Sequence, residues 1–137
     1  MMKVLFVAGF GPIVREPAAS AALYRDALKL PLEAMENDPT YLHSGGIEGV
    51  KHFALWPLSG AAESCFGKKE WPASPAAPTS WLEFEVDDVK AASEELVTKG
   101  YTLLVNNRTE PWGQTVSRLI SPEGILVGLT FTPWLRK

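Results

Sequence analysis

The sequence predicts an α+β protein made of two βαβββ modules that share one curved mixed sheet. Three observations carry this. First, GFGPIVREPAASAALY (residues 9–24) and WLEFEVDDVKAASEEL (81–96) have one layout: a short strand, an acid at Glu16 or Asp88, Pro17 or Val89 at the first helical position, then an alanine-rich helix. Second, Trp81, Glu83 and Glu85 alternate with Leu82, Phe84 and Val86, so a period of two gives that strand one polar and one apolar face. Third, three short apolar segments follow each helix, punctuated by Gly, Asn and Pro.

The first module is expected at about 3–58. Its strand runs toward Glu16, and Pro17 suits a first helical turn, where a backbone N–H has no partner anyway. Leu23, Ala27 and Leu30 fall at helical spacing and are expected to form that helix's apolar face. LPLEAM, TYLHS and GVKHFALWPL read as the three strands that follow. The intervening HSGGIEG lacks the GK[ST] ending of a phosphate loop and lies between strands, so it reads as a turn. Residues 59–78, rich in Ala, Pro, Ser and Gly, read as a linker. The second module is expected at about 79–133. Asp88 is its helix N-cap, Val89, Ala92 and Leu96 form the helix's apolar face, and YTLLVNN, QTVSRLI and ILVGLTFT are its remaining strands. A unit of about 60 residues buries only ~60% of its unfolded surface, so the modules are expected to pack edge to edge as one domain spanning 1–137.

Composition narrows the function. With 137 residues and a formal charge of −3, the chain has no basic stripe, Lys68 and Lys69 being its densest cationic pair, so nucleic acid is not an expected partner. The apolar run Val4–Phe10 is far too short to span a bilayer and lacks a basic flank and a cleavage site, so no membrane association and a cytoplasmic location are expected. Cys65 is the one cysteine, which excludes an intrachain disulfide and a cysteine zinc cluster. It falls in loop-like GAAESCFGKKEW with no histidine near it in sequence, and reads as a bland residue rather than a nucleophile.

The duplicated pattern, together with FEVDDVKAASEELVTKG, EPWGQ and SPEGILVGL, resembles the vicinal oxygen chelate superfamily of glyoxalases, extradiol dioxygenases, fosfomycin-resistance transferases and bleomycin-resistance proteins. The resemblance implies a curved mixed sheet cup with helices on the outer face, often completed in a homodimer, with the ligand held in the cup. Its enzymes hold a divalent metal with His and Glu on the first and last strand of each module. Carried onto this sequence, those four places are Gly9, Ala54, Trp81 and Gly128. A slip of two in the first module's last strand would instead bring His52 to the place of Ala54. None of the four can ligate a metal, which ordinarily takes at least three N, O or S donors from the protein, so no metal and no cofactor are expected.

The same resemblance turns Trp81, Glu83 and Glu85 into the cup, with Leu82, Phe84 and Val86 toward the helix. Alternation puts His52, Ala54 and Trp56 on the cup face, with Phe53 and Leu55 opposite, and counting back from SPEG adds Val116 and Arg118. The candidate ligand-binding residues are therefore His52, Trp56, Trp81, Glu83, Trp112 and Arg118: aromatic walls with a few polar groups, the make-up of a small-molecule site. Each has a plainer alternative. Glu83 and Arg118 also suit a cross-strand ion pair on a wet face, His52 a solvated strand histidine, Trp56 and Trp81 core or dimer seam, and the EPWGQ loop bearing Trp112 a simple hairpin. Trp71 and Trp134 read as packing or interface, and the TPWLRK tail as exposed and suited to docking on a partner subunit.

Two functions remain in view. One is a metal-free protein that binds a small organic ligand, aromatic or amphipathic, as a homodimer. The other is an enzyme of the same superfamily, of lyase, isomerase or dioxygenase type, with Glu83 as acid or base assisted by His52 and with Arg118 facing negative charge, or with a metal on displaced ligands.

Overall fold

The computed structural model describes residues 2–136. Each half is one strand, one helix and three strands. The first half contains β1 (Val4–Val14), α1 (Pro17–Ala21), β2 (Glu33–Met35), β3 (Asp38–Ser44) and β4 (Phe53–Pro57). A second helix, α2 (Leu58–Phe66), begins the connection to the other half, which contains β5 (Ser80–Val86), α3 (Val89–Thr98), β6 (Val105–Thr109), β7 (Thr115–Ile120) and β8 (Leu126–Phe131). A single 3₁₀ turn, Pro133–Leu135, ends the described chain.

All eight strands join one sheet in the order β2-β3-β4-β1-β5-β8-β7-β6. The halves meet within the chain where β1 runs antiparallel to β5, with Gly9 opposite Glu83 and Phe10 opposite Leu82. On either side β4 lies parallel to β1 and β8 parallel to β5, so the two halves are arranged alike about the seam. The pairing also settles the register of β4. Phe10 pairs with Phe53, while its counterpart Leu82 pairs with Val127, so Ala54 corresponds to Gly128 and His52 lies two places earlier.

The outer face carries two apolar clusters. Val14, Leu42, Phe53 and Leu55 pack with Ala21 and Leu32, and Val86 and Leu129 pack with Val89 and Ala92 of α3. Asp88 caps α3 as its side chain accepts the Ala91 N–H at 3.0 Å, whereas Glu16 makes no such bond at α1. The expected apolar face of the first helix is corrected. After Ala21 the chain widens into a π-helical stretch, Ala22–Ala27, in which the Leu28 N–H donates to the Leu23 carbonyl five residues back. That rotation turns Tyr24 onto the core and leaves Leu23 half exposed, with Ala27 exposed and Leu30 only half-buried.

The expected linker is also corrected. Its first part is α2, ended by Gly67 in the left-handed conformation, and Ala61, Ala62, Ser64 and Cys65 are buried. α2 does not lie on the outer face. Ala61 and Cys65 pack with Ile13, Ala54, Trp81, Val116 and Leu126, so this helix covers part of the inner face of the sheet. Cys65 is therefore helical rather than in a loop, and burial pushes its thiol pKa up, which favours the unreactive thiol. No helix among the described residues is long and apolar enough to cross a membrane.

Candidate functional site

The inner face is built around Trp81. Its side chain is buried and its indole N–H donates to the Ala54 carbonyl at 3.1 Å. The ring lies against the backbone of β1 at Gly9 and Gly11, where a side chain would collide with it or with β4. A Cβ on Gly9 would stand 2.6 Å from the His52 carbonyl oxygen and 2.9 Å from the indole, and one on Gly11 would stand 2.0 Å from the Ala54 oxygen. The four places to which the resemblance assigns metal ligands thus hold two glycines, one alanine and the indole-bearing Trp81, whose ring lies against Gly9. Gly128 is crowded as well: a Cβ there would meet Glu83 Cγ at 3.0 Å and Arg118 Nη1 at 3.5 Å. These residues do not fit a family-type metal, and among the described residues no three His, Cys, Asp or Glu side chains are grouped so as to hold one.

Next to Trp81 lies a row of polar groups. Arg118 on β7 reaches across Gly128 and donates from Nη1 to Glu83 Oε2 at 3.0 Å, while its guanidinium lies 4.8 Å from the centroid of the Trp56 ring. The pair is not on a wet face, for Arg118 is 1% exposed and the Glu83 side chain 12%. Gln114 occupies the other Glu83 oxygen, donating from Nε2 at 3.2 Å, and its own Oε1 accepts the Trp112 indole N–H at 3.1 Å. Trp112 is thereby tied to the row although its ring is 53% exposed. One donor of the row is left over: Arg118 Nε is buried without a partner. Such a group is costly, on the order of 1–3 kcal/mol for an unmade bond.

The other side of the row is aromatic. His52 Nε2 lies 2.9 Å from the Tyr41 hydroxyl, the two rings are nearly parallel, and the His43 ring is 5.6 Å from that of His52. His52 also sits 6.1 Å from the Trp81 ring. Burial lowers the His52 pKa, partly opposed by the Glu83 charge, so the neutral imidazole is favoured at neutral pH. Burial likewise raises the Tyr41 hydroxyl well above its usual range. Tyr41, His43, His52 and Trp56 keep part of their surface accessible, and Glu83 a smaller part.

Of the six sequence candidates, Trp56, Trp81, Glu83, Arg118 and His52 thus gather around one centre, and Trp112 reaches it through Gln114. Tyr41, His43 and Gln114 were missed. The first two had a signal, since alternation in TYLHS puts them on one strand face, but nothing in the sequence tied that face to His52 without the β3–β4 pairing of His43 with Ala54. Glu85 faces inward as expected, yet it is 0% exposed and fully engaged by the Thr130 hydroxyl, the Thr132 N–H and Arg136 Nε. That network corrects the reading of the tail as exposed throughout: Arg136 folds back on Glu85 and on the Val86 carbonyl and Thr132 is buried, while Pro133 and Trp134 stay exposed. Trp71 packs edge-on against Phe66.

A family model for the Glyoxalase/Bleomycin resistance protein/Dioxygenase superfamily matches residues 10–129. Among solved structures the chain is similar to a methylmalonyl-CoA epimerase of Streptomyces coelicolor in complex with 2-nitronate-propionyl-CoA, at 19% identity and a TM-score of 0.57 over 96% of this chain and 99% of that one. It is similar, too, to a glyoxalase/bleomycin resistance protein/dioxygenase superfamily member from Vibrio splendidus 12B01, at 12% identity and a TM-score of 0.57 over 95% and 98% of the two chains. A hypothetical protein from Bacillus halodurans C-125 has 19% identity and a TM-score of 0.56 over 94% and 93%. At such identities these structures speak for the fold alone. No curated protein matches the chain.

Proposed function

The chain belongs to the glyoxalase/bleomycin resistance protein/dioxygenase superfamily, and on that premise we propose that it is a metal-free member that binds a small aromatic or amphipathic organic molecule without transforming it. The observation that carries this is the buried Trp81 indole, which stands at one of the four places itself, lies against Gly9 and Gly11, and is held by the Ala54 carbonyl. With chelation removed, the inner face keeps what recognition needs: the rings of Tyr41, His52, Trp56 and Trp112 beside a few oriented polar groups. Glu83 serves in this setting as an anchor for its neighbours, both of its oxygens being engaged, by Arg118 and by Gln114.

The remaining parts of the proposal are a single 1–137 domain, a cytoplasmic location and a homodimer. The half-exposed Val4, Val7 and Phe10 of β1 support the last, since they give the sheet's outer face an apolar strip. Titration of aromatic compounds against tryptophan fluorescence tests the binding claim. A saturable change is expected with at least one compound, weakened in Trp56→Ala and Trp112→Ala, and the compound is recovered unaltered. Conversion of the bound compound, abolished in Glu83→Gln, would replace this reading with the enzymatic one.

A further inference from the structure

We propose that a second binding site, separate from the one around Trp81, lies in the groove between the glycine-rich turn 45–51 and the chain's last turn, and that it takes a flat aromatic molecule with an anionic group, laid against the backbone of Gly45 and Gly46. The groove is open to solvent and has a volume of about 600 Å³, with Ile47, Val50 and Lys51 on one side and Trp134 and Leu135 on the other. That size suits a small molecule. Both walls are anchored at one place on the sheet. Lys51 Nζ rests 4.7 Å from the centroid of the Phe6 ring, Arg136 is bonded to Glu85, and Phe6 pairs with Glu85 across the β1–β5 seam.

The glycines carry the assignment. Glycine costs a folded chain conformational entropy, so its natural places are those where the backbone needs a positive φ or where a neighbour leaves no room for a Cβ. Five of the eleven glycines have a positive φ, and Gly9, Gly11, Gly60 and Gly128 stand where a Cβ would come to 3.0 Å or closer of another atom. Gly45 and Gly46 have neither reason. Their φ is not positive, and a Cβ would meet only the Lys51 carbonyl oxygen at 3.6 Å or the Ser44 hydroxyl at 3.7 Å, which is ordinary contact. Both are exposed and both line the groove. A bare backbone there serves a body from outside that approaches more closely than a side chain would permit.

The class of that body follows from the donors. The N–H groups of Gly45, Ile47, Glu48 and Gly49 have no partner among the described residues, while that of Gly46 donates to Ser44 Oγ at 3.0 Å. Lys51, held over Phe6, forms no ion pair among them either. Open N–H groups of a turn beside a positioned cation suit an oxyanion, and the half-exposed Trp134 indole opposite offers an aromatic frame a stacking face. Glu48 is the one opposing charge in the lining.

The test uses naphthalene-2-sulfonate and naphthalene-2-sulfonamide, which share a ring system and differ in charge, read by the backbone and indole N–H signals of ¹⁵N-labelled protein. The sulfonate is expected to shift the Trp134 indole and the Gly45 and Gly46 amides saturably and to bind about tenfold tighter than the sulfonamide. Lys51→Gln should remove that advantage and Glu48→Gln should tighten the sulfonate. Gly45→Ala and Gly46→Ala, both at exposed positions, are expected to weaken it about tenfold while the urea midpoint holds or rises. A lowered midpoint would show that the chain itself needs these glycines, and unchanged affinity would show that nothing approaches them; either result overturns the site. Equal affinity for sulfonate and sulfonamide overturns the anionic class. No shift at Trp134 with either probe overturns the site as well, and shifts confined to the Trp56 and Trp112 indoles would do so while leaving the binding reading of the inner face intact.

Discussion

Trp81 organises the inner face at the scale of one residue, buried among the core side chains and bonded to the Ala54 carbonyl. Truncation to alanine would strip the inner face of its largest side chain and orphan the Ala54 carbonyl; Trp81→Ala is expected to cost about 3–5 kcal/mol in urea unfolding. The opposite error is as informative. Gly11→Ala puts a Cβ 2.0 Å from a backbone oxygen, so the β1–β4 pairing must shift, and a loss of about 1–3 kcal/mol or more is expected. His52 sets a pH dependence. Its pKa is lowered in the folded chain by burial, so below about 6.5 the unfolded chain binds the extra proton more readily. Stability is therefore expected to be level above that pH and to fall as pH drops through it, with His52→Gln flattening the profile between pH 7 and the carboxylate range; a wild-type profile flat down to that range would contradict the assignment. Residue types at this scale were legible in the sequence, since alternation in WLEFEV and VKHFALW is local. Partners were not, because Gln114 to Glu83 and Arg136 to Glu85 span most of a module.

Among the elements, the two helices that open the modules look alike in sequence and behave differently. The Asp88 side chain accepts the Ala91 N–H and the Glu16 side chain caps nothing, so Asp88→Ala is expected to cost about 1 kcal/mol and Glu16→Ala close to none in chemical denaturation. Equal losses would show that Glu16 caps its helix after all. The π-helical stretch after Ala21 was illegible, since apolar spacing in LYRDALKL fits an ordinary helix equally well, and the contact of Tyr24 with Phe53 that accompanies the wider turn is long-range. α2 was hidden for a similar reason. Its Ala, Ser and Gly composition reads as a linker because those small side chains are suited to close approach, and a Cβ on Gly60 would stand 2.8 Å from the Trp56 indole nitrogen. Gly60→Ala is expected to loosen α2 from Trp56, seen as a red-shifted tryptophan emission; an unchanged spectrum would mean that the helix tolerates the methyl by a small shift.

Across the whole molecule, duplication was the most legible feature, because each half repeats the same strand, acid and helix in the same order and the sheet repeats the same pairing about the β1–β5 seam. Its edges are blunt: β2 has three residues, and β6 carries Asn107 at positive φ and Arg108, which discourages pairing with another chain. What the duplication could not reveal is that both ends of the inner face are covered by the chain itself, by α2 at Trp81 and by the Pro133–Leu135 turn with Arg136 at Glu85. That covering, with an indole at a place to which the resemblance assigns a metal ligand, is what supports the proposal of a binding protein over a chelating enzyme. The most direct test is the metal content of untagged protein after incubation with Zn²⁺, Ni²⁺, Mn²⁺ and Fe²⁺ and exhaustive dialysis. Retention far below one metal per chain is the expected result, and retention close to one per chain, lost on replacing His43 or His52, would contradict the account.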